Sequence, residues 1–290
     1  MPVRSLRIFL VAFLFAIFSI SSVTAQDSTD AKVRKESYFK FSLSYLSNSV
    51  SYGRKDSLTV SYLTPAIGYH DKSGLYFEGS LSYLTGIGSQ IDGADVTAGY
   101  DFDSRNGKLS GGLYASKYFT SSSSYSVRSE VKGAAGGSLD YNLGPVSLSA
   151  GTDLSFSNKM DIVLNFGVSR QFELNDKRWA IAPSAVVNAG TQNFYQDYLT
   201  KRKYSQRRRR RAGSTPAAVN VIVINKSFAI LDYELSSPIN YDGHKWGLFF
   251  TPTYSIPENG FKYSLNNGAT YQSQKLSNTF YAEVGAYIKF

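Results

Sequence analysis

The side chains that could do chemistry in this chain are few and widely spaced. There are two histidines, His70 and His244, and no cysteine, which excludes thiolate nucleophiles and thiolate metal ligands. Each histidine stands beside a turn signal, the first before residues 71–74 and the second after Asp242-Gly243. Two distant histidines do not form a metal site. We therefore predict no catalytic residue, no metal site and no cofactor.

Charged residues recur on one face of an alternating pattern. That face carries Lys40, Glu78, Asp95, Asp101, Arg128, Glu130, Lys132, Asp140, Asp153, Glu234, Glu283 and Lys289. Mixed charges on one wall either line a wet channel or neutralise one another inside a filled interior. The sequence leaves both alternatives open.

The third chemical feature is a basic run inside the longest interruption of the pattern, residues 192–219. It comprises eight cations: Lys201, Arg202, Lys203, Arg207, Arg208, Arg209, Arg210 and Arg211. Guanidinium groups suit phosphate and carboxylate, so the run is a candidate anion-binding loop. The alternative is a solvated loop, disordered by its own repulsion, with no dedicated ligand.

The first 25 residues have the pattern of a secretory signal peptide. Arg4 and Arg7 precede an apolar run over residues 8–20, and small residues lead to a predicted cleavage site between Ala25 and Gln26. The run is too short for a membrane anchor, which needs about 20 apolar residues. Cleavage leaves 29 basic and 22 acidic groups, a net charge of +7. Export also removes the chain from cytoplasmic nucleic acid, which we do not expect it to bind.

Beyond a polar tail over residues 26–36, predicted to be disordered, apolar and polar residues alternate with a period of two through residues 37–290. No later segment approaches the length of a spanning helix, so a membrane protein with this pattern must be a closed barrel. We predict an all-β, antiparallel up-and-down transmembrane barrel of about twelve strands, with ten or fourteen as alternatives. The predicted strands lie near residues 37–47, 57–70, 75–85, 92–103, 108–119, 125–143, 146–157, 160–173, 179–191, 220–241, 245–256 and 276–290.

The connections alternate between short, turn-rich links and longer loops, as outer-membrane barrels require. The short link at Asn158-Lys159 is an exception on the long side. The alternation changes phase near residues 62–65 and between Ile230 and Leu231, which predicts a one-residue bulge at each place. Pro65, Pro183 and Pro252 fall inside predicted strands, where each loses a ladder hydrogen bond.

The last residues, Gly285-x-x-Ile288-x-Phe290, resemble the C-terminal assembly signal of bacterial outer-membrane β-barrel proteins. Val284 departs from that pattern, which usually has a polar residue before the glycine. The resemblance implies that Gly285, Ile288 and Phe290 are read by the barrel-assembly machinery during insertion. It also implies a bacterial outer-membrane location, with membrane lipid and lipopolysaccharide as neighbours. It identifies no subfamily.

From this architecture we expect a passive channel or conduit for small solutes or lipids. The alternative is a surface-exposed binding, adhesion or envelope-structure barrel that uses the basic loop over residues 192–219. A barrel-type hydrolase is the least favoured, because no outer cluster of serine, histidine and aspartate can be assembled from the sequence.

Overall fold

The computed structural model describes residues 36–86, 88–174, 178–199, 201, 221–224, 228–265, 272–273 and 276–290. The predicted signal peptide, its cleavage site at Ala25–Gln26, the tail up to residue 35 and the basic run from Arg202 to Arg211 lie outside these residues. Among the residues described, no helix is both long and apolar enough to cross a membrane.

The strands between residues 38 and 289 form a closed antiparallel barrel. The strands are β1 Tyr38–Leu46, β2 Val50–Ser51, β3 Arg54–Lys55, β4 Tyr62–His70, β5 Leu75–Leu84, β6 Gln90–Asp103, β7 Leu109–Thr120, β8 Gly133–Asn142, β9 Ser147–Phe156, β10 Met160–Ser169, β11 Phe172–Leu174, β12 Trp179–Ile181, β13 Ser184–Gly190, β14 Val221–Ile224, β15 Ala229–Ser236, β16 Ile239–Asp242, β17 Trp246–Pro257, β18 Lys262–Leu265, β19 Gln272–Ser273 and β20 Thr279–Lys289. β20 pairs with both β17 and β1, which closes the ring.

The wall has twelve strands, because three of them are built from two segments each: β10 with β11, β12 with β13, and β15 with β16. Consecutive wall strands are neighbours throughout. The prediction of an all-β, twelve-stranded up-and-down barrel is confirmed. We call the end that carries the short links, such as residues 71–74, the turn end, and the opposite end the loop end.

The three interrupted strands are adjacent, and their breaks lie side by side. At this level Arg170 N–H donates to the Pro183 carbonyl at 3.1 Å, and Ala182 N–H donates to the Pro238 carbonyl at 2.9 Å. Each proline lacks the N–H that would continue the ladder, which is why the strands are interrupted here. Pro65 and Pro252 instead lie within β4 and β17.

The outer surface of the barrel is apolar. Large side chains on it are strongly exposed, among them Ile67 at 61%, Phe77 at 59% and Leu113 at 62%. At the turn end, Tyr241 packs between Trp179 and Trp246, with ring centroids 5.0 Å apart on each side. In water this surface would cost about 25 cal/mol per Å². On a closed barrel whose backbone bonds are internal, it is the surface that a lipid bilayer requires, with aromatic rings at the interface.

Three predicted strand boundaries were wrong. The second wall strand begins at Tyr62 rather than residue 57, its register with β1 is continuous, and there is no bulge. Val60 and Tyr62 both face inward, where they pack against Leu84. Because the segment before Tyr62 leaves the wall, Val60 is buried inside the barrel while Leu58 is exposed, and the wall strand itself has no phase change to correct.

The sixth wall strand begins at Gly133 rather than residue 125. Ser129 N–H donates to the Ser126 carbonyl and Val131 N–H to the Arg128 carbonyl, so this serine-rich segment forms successive turns. Arg128, Glu130 and Lys132 therefore do not lie on a strand face, contrary to prediction.

The tenth wall strand begins at Ala229 rather than residue 220. Val221–Ile224 pairs instead with Lys262–Leu265, in a separate small sheet formed by two connections between wall strands. The bulge predicted in this strand is confirmed: Ala189 faces Ile230 and Asn188 faces Asp232, which leaves Leu231 extruded and buried. A second bulge, at Asp92 in β6, was not predicted.

Candidate functional site

The inner wall of the barrel is predominantly acidic. Strand pairing directs inward the carboxylates of Glu78, Asp95, Asp101, Asp140, Asp153, Asp232, Glu234 and Glu283. The inward cations on the described wall strands are Lys40 and Lys289. The predicted inner-face set is thus confirmed except for Arg128, Glu130 and Lys132.

Hydroxyl and amide groups, rather than cations, hold several of these carboxylates. Tyr114 O–H donates to Asp153, and Ser80 O–H donates to Asp95. Asp232 accepts from Ser255 Oγ at 2.8 Å and from Asn188 Nδ2 at 2.9 Å. A neutral donor orients a carboxylate without cancelling its charge. Of the two alternatives left open by the sequence, these contacts favour the wet, polar channel.

The turn end of the lumen is lined by rings. His70 stacks between Tyr38 and Tyr76, with centroids 4.9 and 5.6 Å away. Lys289 Nζ lies 5.0 Å from the centre of the Tyr287 ring and 3.7 Å from Asp242 Oδ1. His70 is therefore placed at the turn end, as predicted, as a stacked group of the rim.

Several inward rings lie flat over glycines of the next strand. A Cβ on Gly99 would collide with Tyr76, and one on Gly136 would collide with Tyr114. The same relation holds for Gly285 and the ring of Phe249. The glycine-rich strands thus make room for the aromatic side chains that narrow the lumen.

A hairpin formed by β2 and β3, residues 50–55, crosses the lumen at the loop end. The hairpin lies between β1 and β4 in sequence. Its Tyr52 O–H nevertheless donates to Oδ2 of Asp153, on β9, at 3.0 Å. In the ring of twelve wall strands β9 is six strands from β1, on the opposite side of the barrel. Tyr52 and Gly53 have φ values of 48° and 71°, typical of a tight primed turn. Burial raises the pKa of Tyr52, which keeps its hydroxyl a donor.

Arg54 fastens this hairpin to two other connections. Its side chain is 1% exposed. Nε donates to Gln192 Oε1 at 2.8 Å, and Nη2 donates to the carbonyls of Glu258 and Asn259 at 2.6 and 3.3 Å. Burial lowers the pKa of Arg54, while the carboxylates of Asp232 and Glu258 oppose that shift.

Around the hairpin lies a cluster of apolar and aromatic residues from three connections. Its buried members are Val127, Val131, Phe194, Tyr195, Tyr198 and Phe261. Tyr195 stacks on Tyr198 and Phe261, with centroids 5.9 and 5.8 Å apart, and donates from its hydroxyl to the Lys55 carbonyl at 3.2 Å. We refer to the hairpin 50–55 with this cluster as the plug.

The plug includes a short helix over residues 193–199, capped by a wall residue. Asp161 is fully buried, and its two oxygens accept from Asn193 N–H and Phe194 N–H, each at 2.7 Å. Thr191 O–H donates to the same carboxylate at 2.6 Å. These bonds satisfy amides that a helix start otherwise leaves unpaired.

We expect Asp161→Ala to loosen this helix without unfolding the barrel. Loss of an N-terminal cap costs about 1–2 kcal/mol, so amide exchange over residues 193–199 should become roughly tenfold faster. Hydrogen–deuterium exchange in detergent measures this, with Asp197→Ala on the same helix as the charge-matched control. Equal protection in both variants would contradict the capping role.

The structure bears on two predicted sites only in part. Lys201 Nζ lies 2.6 Å from Glu130 Oε1, which ties the start of the basic run to the plug. The remaining cations of the run lie outside the described residues, so anion binding there stays a prediction. Ile288 and Phe290 point outward and are exposed, and their role as an assembly signal also stays a prediction.

Two cavities adjoin the inner wall. The larger has a volume of about 300 Å³ and lies at the loop end. It is bounded by the wall and by Ser126 and Arg128 of the connection that contributes Val127 to the plug. The smaller, about 170 Å³, lies lower in the barrel beside Tyr76, Asp101 and Asp153. The sequence predicted a wall of mixed charges and did not predict the plug that bounds the larger cavity.

No family model and no curated protein sequence match the chain. Solved structures that it resembles include the KdgM porin, with a TM-score of 0.46 and 10% identity over 87% of this chain and 99% of that one. The NanC porin gives 0.47 and 10% over 87% and 100%. The TodX monoaromatic hydrocarbon channel gives 0.33 and 11% over 88% and 90%.

Proposed function

We propose that this protein is a passive channel for small solutes in a bacterial outer membrane. The observation that carries the proposal is the pairing of an apolar outer surface with a polar, cavity-lined interior in one closed barrel. The apolar outer surface suits contact with lipid. The polar interior lets water and polar solutes cross the membrane, which the lipid itself does not allow.

The wall carries Glu78, Asp95, Asp101, Asp153 and Glu283 against two lysines, so the channel should favour cations and neutral solutes over anions. The plug narrows the loop end and sets an upper limit on solute size. Catalysis has no part in this proposal, since both histidines lie at the turn end and His70 is stacked between two tyrosines.

Planar-bilayer recording of the purified chain tests the proposal. We expect discrete conductance steps in KCl and, under a salt gradient, a reversal potential of the sign given by potassium selectivity. Protein denatured in the same detergent is the control. Absence of conductance at every voltage, both in the native protein and after removal of residues 50–55, would exclude a channel.

A further inference from the structure

The larger cavity, at the loop end, has the features of a built solute site. Its volume is about 300 Å³, close to the lower limit of small-molecule sites. Hydroxyl groups line it from both sides: Thr64 and Ser82 from the wall, and Ser49 and Ser126 from the connections.

Among the residues that the structure describes, three charged groups line this cavity: Asp92, Asp95 and Arg128. The guanidinium of Arg128 is turned toward two rings, with its carbon 6.0 Å from the centre of Tyr52 and 5.8 Å from that of Tyr118. Two carboxylates against one guanidinium leave the cavity with an excess of one negative charge.

Asp92 supplies an independent indication of a ligand. It is the residue extruded by the bulge in β6 and is 2% exposed. Its Oδ2 accepts from Tyr62 O–H and from Ser124 Oγ at 2.6 Å, whereas Oδ1 has no hydrogen-bond partner. A buried carboxylate oxygen without a donor costs free energy, and a donor from a bound solute would recover it.

We propose that this cavity binds the ammonium group of a small organic amine, with Asp92 and Asp95 as its acceptors. An ammonium group has three donors and no acceptor, which matches two carboxylates among hydroxyls. A carbon chain with a second polar group fills the remaining volume and reaches the serine and threonine hydroxyls. A bare divalent ion fits poorly, because it requires six or more oxygens at bonding distance. The proposal rests on the proposed function only in that the solute reaches the cavity through the barrel.

Binding of ethanolamine to the detergent-solubilised full barrel tests this site independently of conduction, by calorimetry or by shifts in NMR spectra. Ethylene glycol, which lacks the ammonium group, is the matched neutral probe. We expect Asp95→Asn and Asp92→Asn each to raise the Kd for ethanolamine at least tenfold. Arg128→Gln removes a positive charge that repels the ammonium group, so it should lower the Kd for ethanolamine. Asp140→Asn, an inward carboxylate outside the cavity, is the control and should leave the Kd unchanged.

Asp95→Asn keeps the inference testable if Asp92→Asn disturbs the bulge. Equal binding of ethanolamine and ethylene glycol would overturn the proposal, as would a Kd that Asp95→Asn does not change. A barrel that conducts but does not bind ethanolamine would refute this site and leave the channel standing. A barrel that binds ethanolamine but does not conduct would refute the channel and leave the site.

Discussion

Replacing Arg54 with alanine is expected to raise the single-channel conductance of the barrel several-fold. The guanidinium joins the hairpin 50–55 to Gln192 and to the carbonyls of Glu258 and Asn259. Alanine removes three hydrogen bonds made by a charged donor, each worth about 1.5–3 kcal/mol. Because each 1.4 kcal/mol changes a population tenfold, the hairpin should leave its position across the lumen for much of the time.

Planar-bilayer recording measures this effect, and Lys55→Ala is the matched control. Lys55 is the next residue of the same hairpin and carries the same charge, and its contact with Tyr195 is made through its backbone carbonyl. We expect Lys55→Ala to conduct like the native protein. A conductance of Arg54→Ala equal to that of Lys55→Ala would mean that the hairpin does not limit the current.

The wall of the barrel could be predicted from the sequence because its period-two pattern is enforced at every position. A residue such as Phe41 must face lipid, and its neighbour Lys40 must face the lumen. A shift of the strand by one residue would therefore turn every polar side chain of that strand toward lipid. The phase change at Leu231 was interpretable for the same reason. The bulge predicted near Tyr62 was wrong, because a similar change of phase arises when a chain turns inward and buries an apolar residue in the lumen.

The plug could not be predicted, because its contacts join connections far apart in sequence. Arg54 and Gln192 are 138 residues apart, and nothing local to either indicates the other. One local signal was present: Phe194, Tyr195, Tyr198 and Leu199 have helical spacing. The polar, basic run that follows in the same loop obscures this signal. Likewise, the positive charge of the whole chain gave no indication of an acidic lumen, since much of that charge lies in the same run.

The second large effect concerns ion selectivity. We expect Glu78→Gln combined with Glu283→Gln to lower the potassium-to-chloride permeability ratio at least about fivefold. Both carboxylates face the lumen, on different strands and at different heights. A charge about 8 Å from a permeating ion contributes about 0.5 kcal/mol in water, so removing two changes the barrier by about 1 kcal/mol. Reversal potentials under a tenfold KCl gradient measure the ratio.

The matched control removes two carboxylates that lie outside the wall strands, with Glu36→Gln before β1 combined with Asp71→Asn in the turn after β4. It changes the net charge of the protein by the same amount, and it should leave the permeability ratio unaltered. If both pairs lowered the ratio equally, selectivity would arise from the overall field of the protein. If only the inner pair did so, the wall carboxylates would be the residues that select the ion. Raising the salt concentration should weaken the difference, because screening shortens the reach of each wall charge.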